Sequence, residues 1–129
     1  SLNAQSVFQQ NFTAPFNPTA SGWNVQNLSA AANPTMAWFQ GNGTVFPAYN
    51  GAANDYYAAN FASTSGTVGS TISSWLITPT LNLMNGGVFQ FATRTVTNPA
   101  DFVDRLQVYM STAGAGVNVG SSPTSLGTF

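Results

Sequence analysis

The sequence contains no cysteine, histidine, lysine or glutamate, and only 4% of its 129 residues are charged. The absence of cysteine excludes disulfides and thiol chemistry, and without histidine as well the usual zinc sites and catalytic triads are excluded. The two arginines are too few for the basic surface that binds nucleic acid or an anionic membrane. No apolar run approaches the roughly 20 residues of a transmembrane helix, so membrane insertion is not expected.

Carboxylates are scarce too, since Asp55, Asp101 and Asp104 are the only acidic residues. Glycoside hydrolysis needs two carboxyl groups about 5–9.5 Å apart. Asp101 and Asp104 flank one short loop and could form such a pair, but no other group in the chain points to covalent chemistry. We therefore expect that the protein is not an enzyme.

Hydrophobic residues make up 43% of the chain, which is enough for a core. They occur in short alternating segments separated by Gly, Pro and Asn turns, and nowhere at the i, i+3, i+4, i+7 spacing of a helix. This pattern predicts a single all-β domain over residues 1–129, folded as a two-sheet antiparallel β-sandwich. The predicted strands cover residues 7–12, 23–28, 37–40, 55–61, 72–83, 88–96 and 105–111.

The segment 72–83 has the apolar, β-branched and aromatic content of a strand that is buried on at least one face. Pro79 cannot donate a ladder hydrogen bond, so the strand must end there or pass to a sheet edge. Asn85-Gly86 supplies the residues of a tight turn, which predicts that 81–83 and 88–96 pair as an antiparallel hairpin.

Four motifs in fixed order carry a family resemblance. Phe8-Gln-Gln-Asn-Phe12 precedes a proline-containing loop that closes on Gly22-Trp23, and Asn60-Phe61 precedes a Ser/Thr/Gly loop. Ser74-Trp-Leu-Ile-Thr-Pro79 follows, and Asp104 to Ser111 comes last, ahead of a Gly-rich turn and Asn118-Val-Gly120. Together they resemble the choice-of-anchor J domain of bacterial surface proteins, which is similar to the cleaved adhesin domain of secreted proteases and haemagglutinins. The resemblance implies a MAM-like jelly roll of two antiparallel sheets.

The resemblance also implies an exported protein, extracellular or at the cell surface, whose signal peptide is absent from this chain. Its expected role is non-catalytic binding or adhesion, with a cell-surface glycan or protein as partner and often with structural calcium. The family usually has an acidic residue in the first strand, where this chain has Gln10 and Asn11, and that weakens the expectation of calcium.

The family domain continues for several strands beyond the position that matches Phe129. The resemblance therefore implies a jelly roll without its C-terminal strands, and so with an open sheet edge. An open edge is a template for another strand. The alternative function is a structural or assembly domain that exchanges strands or dimerises through that edge.

Two aspartates are candidate calcium ligands, because Ca²⁺ takes oxygens from carboxylates, amides and carbonyls. Asp55 stands beside Asn54, and Asp104 stands near Asp101. The alternative is that Asp55 caps a turn and that Asp104 pairs with an arginine at the surface.

The candidate ligand-binding residues are Tyr57, Tyr109 and Arg94. An exposed tyrosine offers a sugar ring a flat apolar face and a hydrogen-bonding tip. Trp75 and Trp23 are expected in the core instead, and core or rim packing is the alternative for the two tyrosines as well.

Overall fold

The structure, a computed structural model, describes residues 8–97 and 105–113, and the backbone of 124–128. The chain divides into two compact units, Ser1–Thr93 and Arg94–Phe129. The strands are β1 (Asn24–Asn27), β2 (Phe39–Gln40), β3 (Tyr57–Ala58) and β4 (Ser74–Ile77) in the first unit, and β5 (Gln107–Met110) and β6 (Thr124–Thr128) in the second. The described chain is thus β-rich, and its one helix is a 3₁₀ turn, Phe61–Ser63.

Strands β1 and β4 form an antiparallel pair in which Val25 lies opposite Leu76 and Gln26 opposite Trp75. Both strands come from segments with apolar and β-branched residues, as the alternation predicts. Strand β4 ends at Ile77, two residues before Pro79, because proline has no N–H with which to continue the ladder. Of the two alternatives at Pro79, the structure shows that the strand ends before it. The predicted strand 72–83 is therefore too long, since residues 78–83 lie in no strand.

The predicted first strand is wrong in its described part, since residues 8–12 lie in no strand. Phe12 has a φ of 51°, in the left-handed region that an extended strand does not use. Its ring packs instead among aromatic side chains. The members of this cluster are Phe8, Phe12, Phe16, Trp23 and Tyr57, with neighbouring ring centroids 5.2 to 6.3 Å apart.

The Asn27 carboxamide ties the loops around β1 together. Its Nδ2 donates to the carbonyl oxygens of Met36 and Ser63, both at 2.7 Å, and its Oδ1 accepts the N–H of Ser29 at 3.0 Å. Among the described residues no hydrophobic residue is buried, whereas the polar residues Ser29, Ser63 and Thr64 are. Hydrogen bonding therefore carries much of the local order in this unit.

The predicted hairpin of 81–83 with 88–96 is wrong, because residues 78–97 lie in no strand. The turn between the two segments does form, with the Gly87 N–H donating to the Met84 carbonyl oxygen at 3.0 Å. A tight turn alone does not create a ladder, since an isolated two-stranded hairpin is marginal in water without a face to pack on.

In the second unit β5 and β6 pair antiparallel, with Gln107 opposite Thr128 and Met110 opposite Thr124. The register shifts between Val108 and Tyr109, which is the mark of a β-bulge. Strand β5 confirms the strand expected within 105–111. No helix in the described parts of the chain has the length and apolar character needed to cross a membrane.

Candidate functional site

The β2–β3 loop, residues 41–56, is held in place by hydrogen bonds from its own backbone and side chains. Strands β2 and β3 pair with Gln40 opposite Tyr57, so the two ends of the loop lie side by side. The Gly41 N–H donates to the Tyr56 carbonyl oxygen at 2.7 Å and extends the ladder by one bond. The loop therefore leaves and rejoins the sheet at one place, as compact Ω-loops do.

Tyr56 fills the interior of this loop. Its hydroxyl accepts the Asn42 N–H at 3.0 Å and donates to the Asn42 carbonyl oxygen at 2.8 Å. Its ring stacks on Phe46 with centroids 4.9 Å apart. A Cβ at Gly41 would lie 2.4 Å from the Tyr56 ring carbons, so this close approach requires glycine.

The Asp55 carboxylate binds one backbone N–H group inside the loop and one outside it. Its Oδ1 accepts the Ala14 N–H at 3.0 Å and its Oδ2 accepts the Ala52 N–H at 2.9 Å. Gly51, with a φ of 84°, makes the turn that brings these groups together. Both carboxylate oxygens thus bind backbone N–H groups, which is the turn-capping role considered as the alternative to calcium binding. Calcium at Asp55 stays a prediction.

Tyr49 projects from the apex of the loop, residues 48–53. The apex is closed by a hydrogen bond from the Ala48 N–H to the Ala53 carbonyl oxygen at 3.1 Å, and Asn50 Oδ1 accepts the Gly51 N–H at 3.0 Å. The Tyr49 side chain is 91% exposed. A large aromatic side chain is thus presented to solvent on a backbone that hydrogen bonds hold in place.

Tyr57, a predicted ligand-binding residue, is half-buried in the aromatic cluster. Its ring stacks on Phe12 at 5.6 Å and meets the edge of Phe16 at 5.2 Å. Burial raises the pKa of the Tyr57 phenol above its ordinary value of 10.0. The ring thus takes part in packing, the alternative that the sequence left open, and ligand binding by Tyr57 stays a prediction.

Gln40 connects the loop to the aromatic cluster. Its Nε2 donates to the carbonyl oxygens of Asn54 at 2.7 Å, Phe12 at 3.0 Å and Tyr56 at 3.1 Å, and its Oε1 accepts the Phe16 N–H at 2.7 Å. The Gln40 side chain therefore links the C-terminal end of the loop, at Asn54 and Tyr56, to the segment that carries Phe12 and Phe16.

The remaining candidate residues belong to the second unit. Tyr109 lies in β5 and is half-buried, with Ser125 opposite it, and Arg94 is exposed. Asp104 and its neighbour Asp101 lie outside the described residues. Two of the five predicted site residues therefore lie at the β2–β3 loop: Asp55 within it and Tyr57 directly after it in β3.

Sequence reasoning missed Tyr49, although a local signal was there. Tyr49 stands between Pro47 and Asn50-Gly51, and such turn residues place a segment on the surface, where binding residues concentrate. Alternation cannot show this, because it reports only on residues in strands.

Comparison of the chain with protein-family models, with curated proteins and with solved structures found no match. The resemblance to the choice-of-anchor J domain stays a prediction from the motifs.

Proposed function

We propose that this protein is a non-catalytic ligand-binding module of an exported, cell-surface protein, and that its ligand is a neutral glycan. The observation that carries the proposal is the exposed Tyr49 on the braced apex of the β2–β3 loop. Tyrosine gives a large, rigid contact area at low cost in conformational entropy, because it has only two side-chain torsions.

The chemistry around Tyr49 favours an uncharged ligand. Asp55 is the only charged residue of the β2–β3 loop, and both of its oxygens already accept N–H groups. The same loop carries exposed neutral polar residues, namely Asn42, Thr44, Asn50 and Asn54. The Oδ1 atoms of the three asparagines accept hydrogen bonds within the loop, and their Nδ2 groups are neutral donors. An aromatic face on a loop with neutral hydrogen-bonding groups suits a polyhydroxylated ring, whose faces are apolar and whose edges are polar.

The fold proposed for the module is the two-sheet jelly roll that the motif order implies. The strand pairs β1–β4 and β2–β3 would belong to its sheets, and the β2–β3 loop would lie at one end of the sandwich. Binding sites on such modules lie on loops that a rigid scaffold positions. The scarcity of titratable groups supports a role without catalysis.

The test is binding of the intact chain to a panel of neutral oligosaccharides, followed by calorimetric titration of the best binder. The Tyr49→Ala variant should bind about tenfold or more weakly, equivalent to ~1.4 kcal/mol. Tyr49→Phe should keep most of the affinity, because it keeps the ring.

The Tyr109→Ala and Arg94→Gln variants serve as comparisons at the other predicted ligand-binding residues. If either of them, rather than Tyr49→Ala, removes binding, the site lies in the second unit and the assignment to Tyr49 is wrong. A panel with no binder, or Tyr49-dependent binding to a protein alone, would exclude the glycan as ligand.

A second candidate function, a structural or assembly domain, is favoured by one separate observation. Every residue from 82 to 97 is exposed, and the stretch contains large apolar side chains. These are Leu83, Met84, Val88, Phe89, Phe91 and Val96, between 42% and 80% exposed. Exposed apolar segments of this kind mark surfaces that associate with other chains.

A further inference from the structure

The segment Val88-Phe-Gln-Phe-Ala92 has the properties of a strand, but the structure places it in none. Val88 is 80%, Phe89 58% and Phe91 42% exposed. The rings of Phe89 and Phe91 lie on one side, with centroids 5.6 Å apart, as alternate residues of a strand do. The segment contains no proline, glycine or charge, so it lacks the devices that keep strand edges from associating.

The segment is nearly symmetric about Gln90. In an antiparallel pair of two copies centred there, Phe89 of each copy lies opposite Phe91 of the other, Val88 lies opposite Ala92, and the two glutamines face each other. All four phenylalanines then share one face, and cross-strand aromatic pairs are among those that stabilise a sheet. A pairing shifted by one residue would place phenylalanine opposite glutamine and divide the apolar face.

Charge is compatible with the same pairing. Arg94, the nearest ionised residue, would lie opposite Gly86 of the other copy, so the two arginines would not meet. A two-fold symmetric interface needs one patch that is complementary to itself, and this segment meets that condition through its sequence symmetry.

We propose that the protein forms a homodimer in which the Val88–Ala92 segments of two copies pair as antiparallel strands centred on Gln90. The partner is therefore a second copy of this chain. This inference rests on the second candidate function and is independent of glycan binding at Tyr49.

The absence of cysteine from the chain makes the pairing testable by cross-linking. In the proposed register the two Gln90 Cα atoms are about 4.5–5.5 Å apart, within the range of a disulfide. The Gln90→Cys variant should therefore form a covalent dimer on mild oxidation. Val88→Cys is the matched control, because its two copies would lie about 13 Å apart along the strands and should not cross-link.

Sedimentation over a concentration series tests the pairing without cysteine. The full chain should show a monomer–dimer equilibrium, and Phe89→Glu/Phe91→Glu should weaken dimerisation at least tenfold because glutamates then oppose each other. Phe89→Glu/Phe91→Lys should restore it, since only pairing centred on Gln90 places each glutamate opposite a lysine. In registers centred on residue 89 or 91, like charges would meet instead.

Tryptophan fluorescence of each variant shows whether the first unit remains folded, since the substituted side chains are exposed in the monomer. Three results would overturn the proposal: a monomer at all concentrations, equal cross-linking of the two cysteine variants, or no recovery in the glutamate–lysine variant. If dimerisation fails while Tyr49-dependent glycan binding is present, only this inference falls. If dimerisation is observed while Tyr49-dependent glycan binding is absent, only the glycan proposal is wrong.

Discussion

At the residue scale, two carboxamide side chains connect the loops of this protein through hydrogen bonds. Gln40 and Asn27 each donate to carbonyl oxygens of several loops and accept one N–H group. Such buried or half-buried networks are stabilising when every donor and acceptor is satisfied. In a chain with 4% charged residues, these two carboxamides hold irregular loops in place through neutral hydrogen bonds.

Tyr57 provides a pH-dependent prediction at the same scale. Burial raises the pKa of its phenol in the folded chain above 10.0, so the folded state keeps this proton at a pH where the unfolded state loses it. Unfolding then releases a proton, and the free energy of unfolding falls as the pH rises above about 10. Below that pH the contribution of Tyr57 is fully present.

The measurement is the urea midpoint from about pH 9 to about pH 11, compared between the wild type and Tyr57→Phe. The Phe variant keeps the ring contacts with Phe12 and Phe16 but has no phenol to titrate. We expect the wild-type midpoint to fall more steeply with pH than that of the variant. Parallel curves would show that the phenol of Tyr57 ionises equally well in both states.

Close packing of Tyr56 over Gly41 governs the β2–β3 loop at the element scale. The strands at its base pair through only two residues each, too few for an independently stable hairpin. Order in the loop comes from the Tyr56 hydroxyl, the Tyr56–Phe46 stack and the Asp55 carboxylate. Presentation of Tyr49 therefore depends on side chains inside the loop, and not on the strands alone.

Gly41→Ala should lower the free energy of unfolding by about 1–3 kcal/mol, as overpacking does elsewhere. The added methyl group would lie 2.4 Å from the Tyr56 ring and displace it. The measurement is urea unfolding, and the matched control is the same substitution in a Tyr56→Ala background. There it should cost less than about 0.5 kcal/mol, because the ring is gone. An equal cost in both backgrounds would show that the ring is not the cause.

At the scale of the whole molecule, the low charge limits electrostatic attraction to binding partners. A net charge of −1 gives little long-range attraction to any partner. Recognition must then rest on shape, apolar contact and neutral hydrogen bonds. This holds for the glycan proposed at Tyr49 and for the second copy proposed at Val88–Ala92.

Salt should consequently have little effect on either association. We expect the glycan affinity and the dimer dissociation constant to change less than about twofold between ~20 mM and ~500 mM sodium chloride, because neither Tyr49 nor the segment Val88–Ala92 carries a charge for salt to screen. Calorimetry and sedimentation at the two salt concentrations measure this. A tenfold loss of affinity at high salt would indicate an anionic or cationic ligand.

The sequence by itself determined the composition-dependent properties and most strand positions. Alternation correctly predicted β1, β4 and β5, and Pro79 marked the end of β4, because these signals depend on local sterics and on faces two residues apart. The sequence also suggested two roles for Asp55, a calcium ligand or a turn cap, and in the structure its carboxylate accepts backbone N–H groups as a turn cap does. Low charge and the absence of cysteine and histidine follow from composition alone.

Only the tertiary structure decided which segments pair and which side chains reach solvent. The predicted hairpin of 81–83 with 88–96 is not formed, because a hairpin also needs a face to pack on. Phe12, in the left-handed region, packs on Trp23 and Tyr57, which are distant in the sequence. Tyr57 packs and Tyr49 projects for the same reason, although both are tyrosines near one loop. Burial is a property of the assembled chain, because it depends on what other segments bring next to a residue.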